Sequence, residues 1–321
     1  GNVRTSGPQN ILVDKTPPVA GQVAISTPSY FTVISTLPVV NDLLAHTVHV
    51  IKTAAGVRLY TIGGSIDGAY TNKIFYADIL PDGSLGSWTQ NPNNLPGVRA
   101  LHGSIVVNNF VYVIGGSDGS NKDTVLRGPV NADGTLGPFS TLAGNTLPIT
   151  MIHHSVVSVG DFVYSIGGNA NGVNNSSNVY VAKVNTDGSL TPWKQTLPLP
   201  AGRLYADAIS AGNRLYVIGG LNNSVGCASA AWMGEPSTGD GGIMSWTASA
   251  DISFSPGCYG ARDLLAFNSA IYSIGEGAYG DRDDIHVASV SANGTLGPWI
   301  TYADALSFKV LDHAVAAYGD R

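Results

Sequence analysis

The sequence predicts an all-β fold: a six-bladed β-propeller of four-stranded repeats, its sixth blade shared by the N- and C-termini. Three observations predict it. An apolar segment ending in Gly-Gly recurs along the 321 residues, a turn followed by an aromatic recurs in phase with it, and the chain begins and ends part-way through a copy. A seven-bladed parent, partly represented, is the alternative count.

The first motif reads Val111-Tyr-Val-Ile-Gly-Gly116. It recurs as Leu59-Tyr-Thr-Ile-Gly-Gly64, Val163-Tyr-Ser-Ile-Gly-Gly168 and Leu215-Tyr-Val-Ile-Gly-Gly220, and as Ile271-Tyr-Ser-Ile-Gly-Glu276. Gly63, Gly115, Gly167 and Gly219 are 52 residues apart, and Gly275 follows after 56. A run this apolar suits a strand buried on both faces. The second motif is Asp133-Gly-Thr-Leu-Gly-Pro-Phe139, with copies at Asp82 to Trp88, Asp187 to Trp193 and Asn293 to Trp299, and a weaker one at Asp240 to Trp246. Asp-Gly and Asn-Gly favour hairpin turns, whose central residues need positive φ. The aromatic then starts an outer strand and covers the blade.

Each unit therefore reads as four strands. In the second unit they fall at His102–Val107, Phe110–Gly115, about Thr124–Val130, and from Phe139 onward. No helical periodicity competes, and four short strands per repeat of this length indicate a propeller. The full units are 44–98, 99–150, 151–201, 202–258 and 259–306, with 1–43 and 307–321 making the shared blade of one domain.

An apolar strand carrying Tyr, a Gly-Gly pair and a spaced Trp together resemble the kelch-repeat family over nearly the whole chain. The resemblance implies a propeller. It leaves function open, because such propellers host enzymes, glycan binders and scaffolds.

At the ends, Leu311 to Arg321 reads as an inner strand whose partner, a Leu-Tyr-Val-Ile-Gly-Gly copy, does not follow. Gly1 to Ile11 reads as what comes after such a pair, with a strand at Ile11–Lys15 and Tyr30 or Phe31 in the place of the Trp. The sixth blade is thus expected to lack its second strand. Unpaired edges invite strand addition, from a longer parent chain or from another copy.

Composition narrows the function. Only 12% of residues are charged, against about 25% for an average soluble protein, so Ser, Thr, Asn and the 40 Gly make the polar surface. The net charge of −6 and the absence of a Lys/Arg run exclude a nucleic-acid footprint. No apolar run reaches the roughly 18 residues of a membrane helix, so no membrane insertion is expected. Cys227 and Cys258 are the only cysteines, and a disulfide between them would favour an oxidising compartment. An extracellular or cell-surface location is the expectation.

One polar residue per unit stands near the head of the innermost strand: His46, His102, His154, Asp207, Asp263 and His313. These could ring one mouth of the central channel. Four His and two Asp are metal-capable types, but a six-fold ring is wide against ligand distances of about 2 Å, so capping of neighbouring backbone is the expected role. Arg99, Arg203 and Arg262 precede ring positions and read as braces between blades or as an anion site. Glu276 replaces the second glycine of its pair, and Asp281, Asp283 and Asp284 follow it. That run does not match an EF-hand loop, so no cofactor is expected and calcium is the one metal to consider.

Two propeller enzyme classes share features with the chain. Resemblance to galactose oxidases would imply a Cys–Tyr cross-link with two His and a second Tyr. Cys258, Tyr259, Tyr272 and His313 supply types without the spacing. Sialidases would imply an Asp-box, and the turn motif here lacks its leading Ser. The expectation is a non-enzymatic binding or assembly module that contacts a protein or glycan partner, or other copies of itself, by a propeller face or an open blade edge. The alternative is a carbohydrate-active enzyme, epimerase-like or oxidase-like, at the channel mouth, where His46, His102, His154, Arg203, Asp207, Arg262, Asp263, Glu276 and His313 are the candidate binding residues.

Overall fold

The computed structural model describes residues 10–14, 31–36, 43–222, 226–252, 263–274, 284–302 and 315–316. Among them there is no helix. Five antiparallel sheets of four strands follow one another along the chain, each in the order a-b-c-d. Blade I comprises Thr47–Thr53, Gly56–Ile62, Ile74–Asp78 and Thr89–Gln90, and blade II Gly103–Val107, Phe110–Ile114, Val125–Pro129 and Ser140–Thr141. Blade III comprises Ser155–Val159, Phe162–Ile166, Val179–Lys183 and Lys194–Gln195, and blade IV Asp207–Ala211, Arg214–Ile218, Ala231–Pro236 and Ile243–Ser249. Blade V comprises Asp263–Phe267, Ala270–Ile274, Ile285–Ser289 and Ile300–Tyr302.

Strand a of each blade packs beside strand a of the next, from I through V. Innermost strands side by side, with their sheets radiating outward, make this a β-propeller. A further antiparallel pair, Asn10–Asp14 with Phe31–Thr36, falls where the sequence places the third strand and outer aromatic of the shared blade. The count of six rests on that repeat arithmetic. The expected lack of a second strand in the shared blade concerns residues outside those described, as do Cys258 and the side chain of Cys227.

The core is a series of layers between blades. Tyr112 and Ile114 of blade II bury against Val163, Tyr180 and Ala182 of blade III. Tyr164 and Ile166 meet Leu215, Val217 and Trp232 in the next joint, and Tyr216 and Ile218 meet Ile271 and Ala288 in the one after. Alternate residues of strand b face opposite neighbours, which is why the strand reads apolar throughout. Each such side chain contributes about 1.5–3 kcal/mol by leaving water.

The repeated Tyr does more than fill space. Tyr112 Oη donates to the Gly188 carbonyl at 2.8 Å, Tyr164 to Gly241 at 2.7 Å and Tyr216 to Gly294 at 2.6 Å, and Tyr60 donates likewise to Gly134. Every acceptor is the glycine of the Asp-Gly or Asn-Gly turn in the following blade. The two motifs of the repeat are therefore two halves of one clasp between blades. The turn glycine must also stay bare: a Cβ on Gly188, at φ +77°, would stand 2.6 Å from the Phe110 ring.

The turn aromatics complete the outer layer. Four of them, Trp88, Phe139, Trp193 and Trp299, directly precede strand d, and Trp246 lies within it. A Cβ on Gly128 or Gly234 of strand c would stand 2.6 Å from the Phe139 or Trp246 ring. Small residues at that point of strand c thus give the aromatics their seat.

Candidate binding face at the channel mouth

The Gly-Gly pairs, the segments entering strand a, and Arg99 and Arg203 all lie at the same end of the blades. The turns that receive the Tyr hydroxyls lie at the other. At the first end, the second glycine of each pair donates its N–H to the segment entering the next blade: Gly64 to Arg99 O at 2.7 Å, Gly116 to Met151 O at 2.8 Å, Gly168 to Arg203 O at 2.7 Å. A Cβ on Gly116 would stand 2.6 Å from His102 Cβ, and one on Gly115 would stand 2.8 Å from His154 Cε1. Each pair is therefore a notch holding the imidazoles of its own blade and the next.

His102 and His154 occupy those notches and are buried. Burial pushes both imidazoles down to about 3, with Arg99 and neighbouring imidazoles adding to the effect on His102 and His153 to that on His154. Both are neutral at pH 7. Neither ring nitrogen of His154 meets a protein partner. His102 Nε2 lies 3.3 Å from Thr47 Oγ1, which accepts from Ser104 Oγ at 2.5 Å. His49 Nε2 lies 2.6 Å from Ser104 Oγ. This chain of side chains ties strands a of blades I and II together.

Pairing register corrects the ring read from sequence. Thr47, Gly103, Ser155, Asp207 and Asp263 are equivalent, each opposite the last isoleucine of strand b. His46, His102 and His154 stand one residue earlier. In blade IV that earlier residue is Ala206, so Asp207 is one place out of the ring, and Asp263 is likewise one place on from Arg262. The side chain of Asp263, and all of Arg262, Glu276 and His313, lie outside the described residues, as does the acidic run apart from Asp284. Among the described residues no group of three or more His, Cys, Asp or Glu is placed to hold a metal ion.

Arg99 and Arg203 reach into the joints, each with its Nε left without a protein partner. Arg99 Nη1 donates to Gly115 O at 2.7 Å and to Thr124 Oγ1 at 3.1 Å. The Arg203 guanidinium lies 4.2 Å over the Trp232 ring and donates to Gly202 O at 3.0 Å. Both are buried, and each also offers its carbonyl to the preceding blade, so each braces a joint.

One residue before the notch the backbone turns left-handed. Ala45, Leu101, His153 and Tyr205 occupy equivalent positions and all adopt left-handed backbone, at φ +52°, +58°, +53° and +57°. Such backbone is uncommon in bulky residues. Here it turns an N–H toward the previous blade: Leu101 N donates to Ala45 O at 3.2 Å, and His153 N to Leu101 O at 3.1 Å. His153 and Tyr205 meet edge to face, ring centroids 4.3 Å apart, with Tyr205 Oη 3.5 Å from His153 Nε2. Both rings are half-buried. Burial pushes His153 down to about 4, so this imidazole is also neutral at pH 7.

Amides occur on the neighbouring segment 169–175. Asn169 stands opposite Ile152, next to His153 in the chain, and its Nδ2 donates to Asn174 Oδ1 at 2.6 Å. Oδ1 of Asn169 and of Asn175 are buried acceptors without a protein partner. Neither His153, Tyr205 nor the amides stood out in the sequence. The signal was available by counting: Leu101, His153 and Tyr205 each stand 15 residues before the second glycine of their pair, at Gly116, Gly168 and Gly220.

Comparison with known proteins bears on the fold. No protein-family model matches the chain, and no curated protein matches its sequence. Among many similar solved structures is that of YjhT, which is propeller-like. It aligns with a TM-score of 0.61 and 16% identity, over 83% of this chain and 86% of that one. At that identity the likeness defines the class, an all-β propeller.

Proposed function

We propose that this protein is an extracellular binding module that engages a glycan, without turnover, at the channel mouth between blades III and IV. The observation that carries the reading is the His153–Tyr205 pair: two half-buried rings in edge-to-face contact on left-handed backbone. A partly exposed phenol ring and a neutral imidazole suit a neutral, hydroxyl-rich ligand, which offers C–H groups to the aromatic rings and hydroxyls to the Tyr hydroxyl and imidazole. The cationic side chains nearby, Arg99 and Arg203, are already engaged in bracing. His102 and His154 are sealed in the joints, which removes them from acid–base work on a bound molecule.

A glycan array followed by calorimetry tests this with the intact chain. Wild type should bind a neutral glycan, and Tyr205→Ala and His153→Ala should each weaken binding by about tenfold or more with unchanged melting temperature. Binding that both variants leave intact would remove the site. Conversion of the bound sugar to a new product would replace the binding reading with an enzymatic one.

A further inference from the structure

The outer strand of blade IV departs from the rest of the propeller. Strand d is two residues long in blades I, II and III and three in blade V, but runs Ile243–Ser249 in blade IV. Very short outer strands are one way sheets avoid pairing with other chains, and blade IV lacks that protection. Its register with strand c is regular from Ser249 opposite Ala231 to Ser245 opposite Glu235, then slips, leaving Met244 as the extra residue of a bulge. Five consecutive residues, Ser245 to Ser249, thus present a regular edge, and among the described residues no strand pairs with its outer side.

Three exposed apolar side chains lie on or next to this blade. Leu197, Met244 and Ile300 are 43%, 61% and 54% exposed, three of the five large apolar side chains so exposed among the described residues. They bracket the strand: Trp246 Nε1 donates to Leu197 O at 3.1 Å, and Trp299 Nε1, next to Ile300, donates to Ala250 O at 3.0 Å. Exposed apolar side chains at a free strand edge are available to a partner, one on each flanking blade and one on the bulge itself.

We propose that this edge is where a second copy of the chain docks, by antiparallel pairing of Ser245–Ser249 with its counterpart about Thr247. That register sets Ser245 opposite Ser249, bulky Trp246 opposite small Ala248, and Thr247 opposite itself. From Ile243 to Ala250 there is no charged residue, so no like charges face each other across the two-fold axis, although copies of net charge −6 repel elsewhere. The pairing is isologous: it consumes the edge on both copies and stops at two. An extended segment of another protein would satisfy the same backbone groups, but nothing in it would require an uncharged strand compatible with its own reverse.

Sedimentation velocity of the full chain across about 1–100 μM, the range in which a small interface associates, tests this. Wild type should move from 33.2 kDa to twice that mass. Thr247→Lys and Thr247→Glu each place like charges on the axis, and each should weaken self-association about tenfold. Mixing the two in equal amounts should restore the dimer as a Lys–Glu heteropair. A wild type that stays monomeric throughout overturns the proposal, whether or not the edge then takes a foreign peptide. So does a dimer that neither variant weakens, or a failure of the mixture to recover pairing between variants that melt like wild type.

Discussion

Removing one hydroxyl from one joint tests the account of how the blades are held. Tyr112→Phe keeps the ring, its volume and its packing against Val163, and deletes only the donor to Gly188 O. A neutral hydrogen bond of this kind is worth about 0.5–1.5 kcal/mol net, and a buried acceptor left without a partner raises the cost to about 1–3 kcal/mol. Gly188 is buried, so the upper range applies. In a chain of this size each kcal/mol moves the melting temperature by about 2 °C. Denaturant titration at unchanged slope gives the loss directly. The same substitution at Tyr164 breaks the next joint, and the double variant should lose the sum of the two within about 0.5 kcal/mol. A Tyr112→Phe protein within about 0.3 kcal/mol of wild type would refute the clasp, because the loss would then be smaller than that of an exposed hydrogen bond.

Two further predictions concern the other end of the joints. Unfolded histidine protonates near 6.5, whereas His102 and His154 hold out in the fold to about 3; stability should be full above pH 6.5 and fall as pH drops toward 3, by at most about 1.4 kcal/mol per pH unit for each imidazole. Denaturant midpoints at pH 7 and pH 5 should show it, with a shallower fall in His154→Gln; equal midpoints at the two values would contradict the burial of these rings. Gly116→Ala forces a Cβ to 2.6 Å from His102 Cβ at φ +85° and should cost about 1–3 kcal/mol or more. Gly97→Ala, with open space around it, should stay within about 0.5 kcal/mol of wild type; similar losses in the two would show that the notch is not tight.

The fold was legible because one solution is written several times over. The repeat places strands of the second unit at His102–Val107, Phe110–Gly115 and about Thr124–Val130, and the structure has Gly103–Val107, Phe110–Ile114 and Val125–Pro129. Repetition separates what the backbone needs from what varies, so Gly-Gly, Tyr and Asp-Gly could be read as structural at once. Their partnership could not. Nothing in a single unit says that Tyr112 reaches Gly188, 76 residues on. The ring at the mouth was misread for a related reason. Aligning units on polar residues placed Asp207 with His154, whereas hydrogen-bonding register places Ala206 there, and register is set by backbone pairing rather than by side-chain type.

The same register explains why the candidate site escaped notice and why it is free to serve a ligand. The joints are fixed at both ends, by the Tyr clasp at one and by the Gly-Gly notch with its imidazole at the other. One residue before each notch imidazole or its alanine counterpart lies a left-handed position, and at Leu101 and His153 its N–H goes to the preceding blade. Its side chain has no comparable duty: alanine, leucine, histidine and tyrosine all hold the same left-handed turn at positions 45, 101, 153 and 205. A fold that accepts four such different side chains in one conformation does not determine which is present. A sequence comparison among units therefore registers the position as mere variation. The placing of two adjoining aromatics at two consecutive copies of it is then a choice the scaffold did not require. Selection by a ligand at the mouth is the physical reason we assign to it.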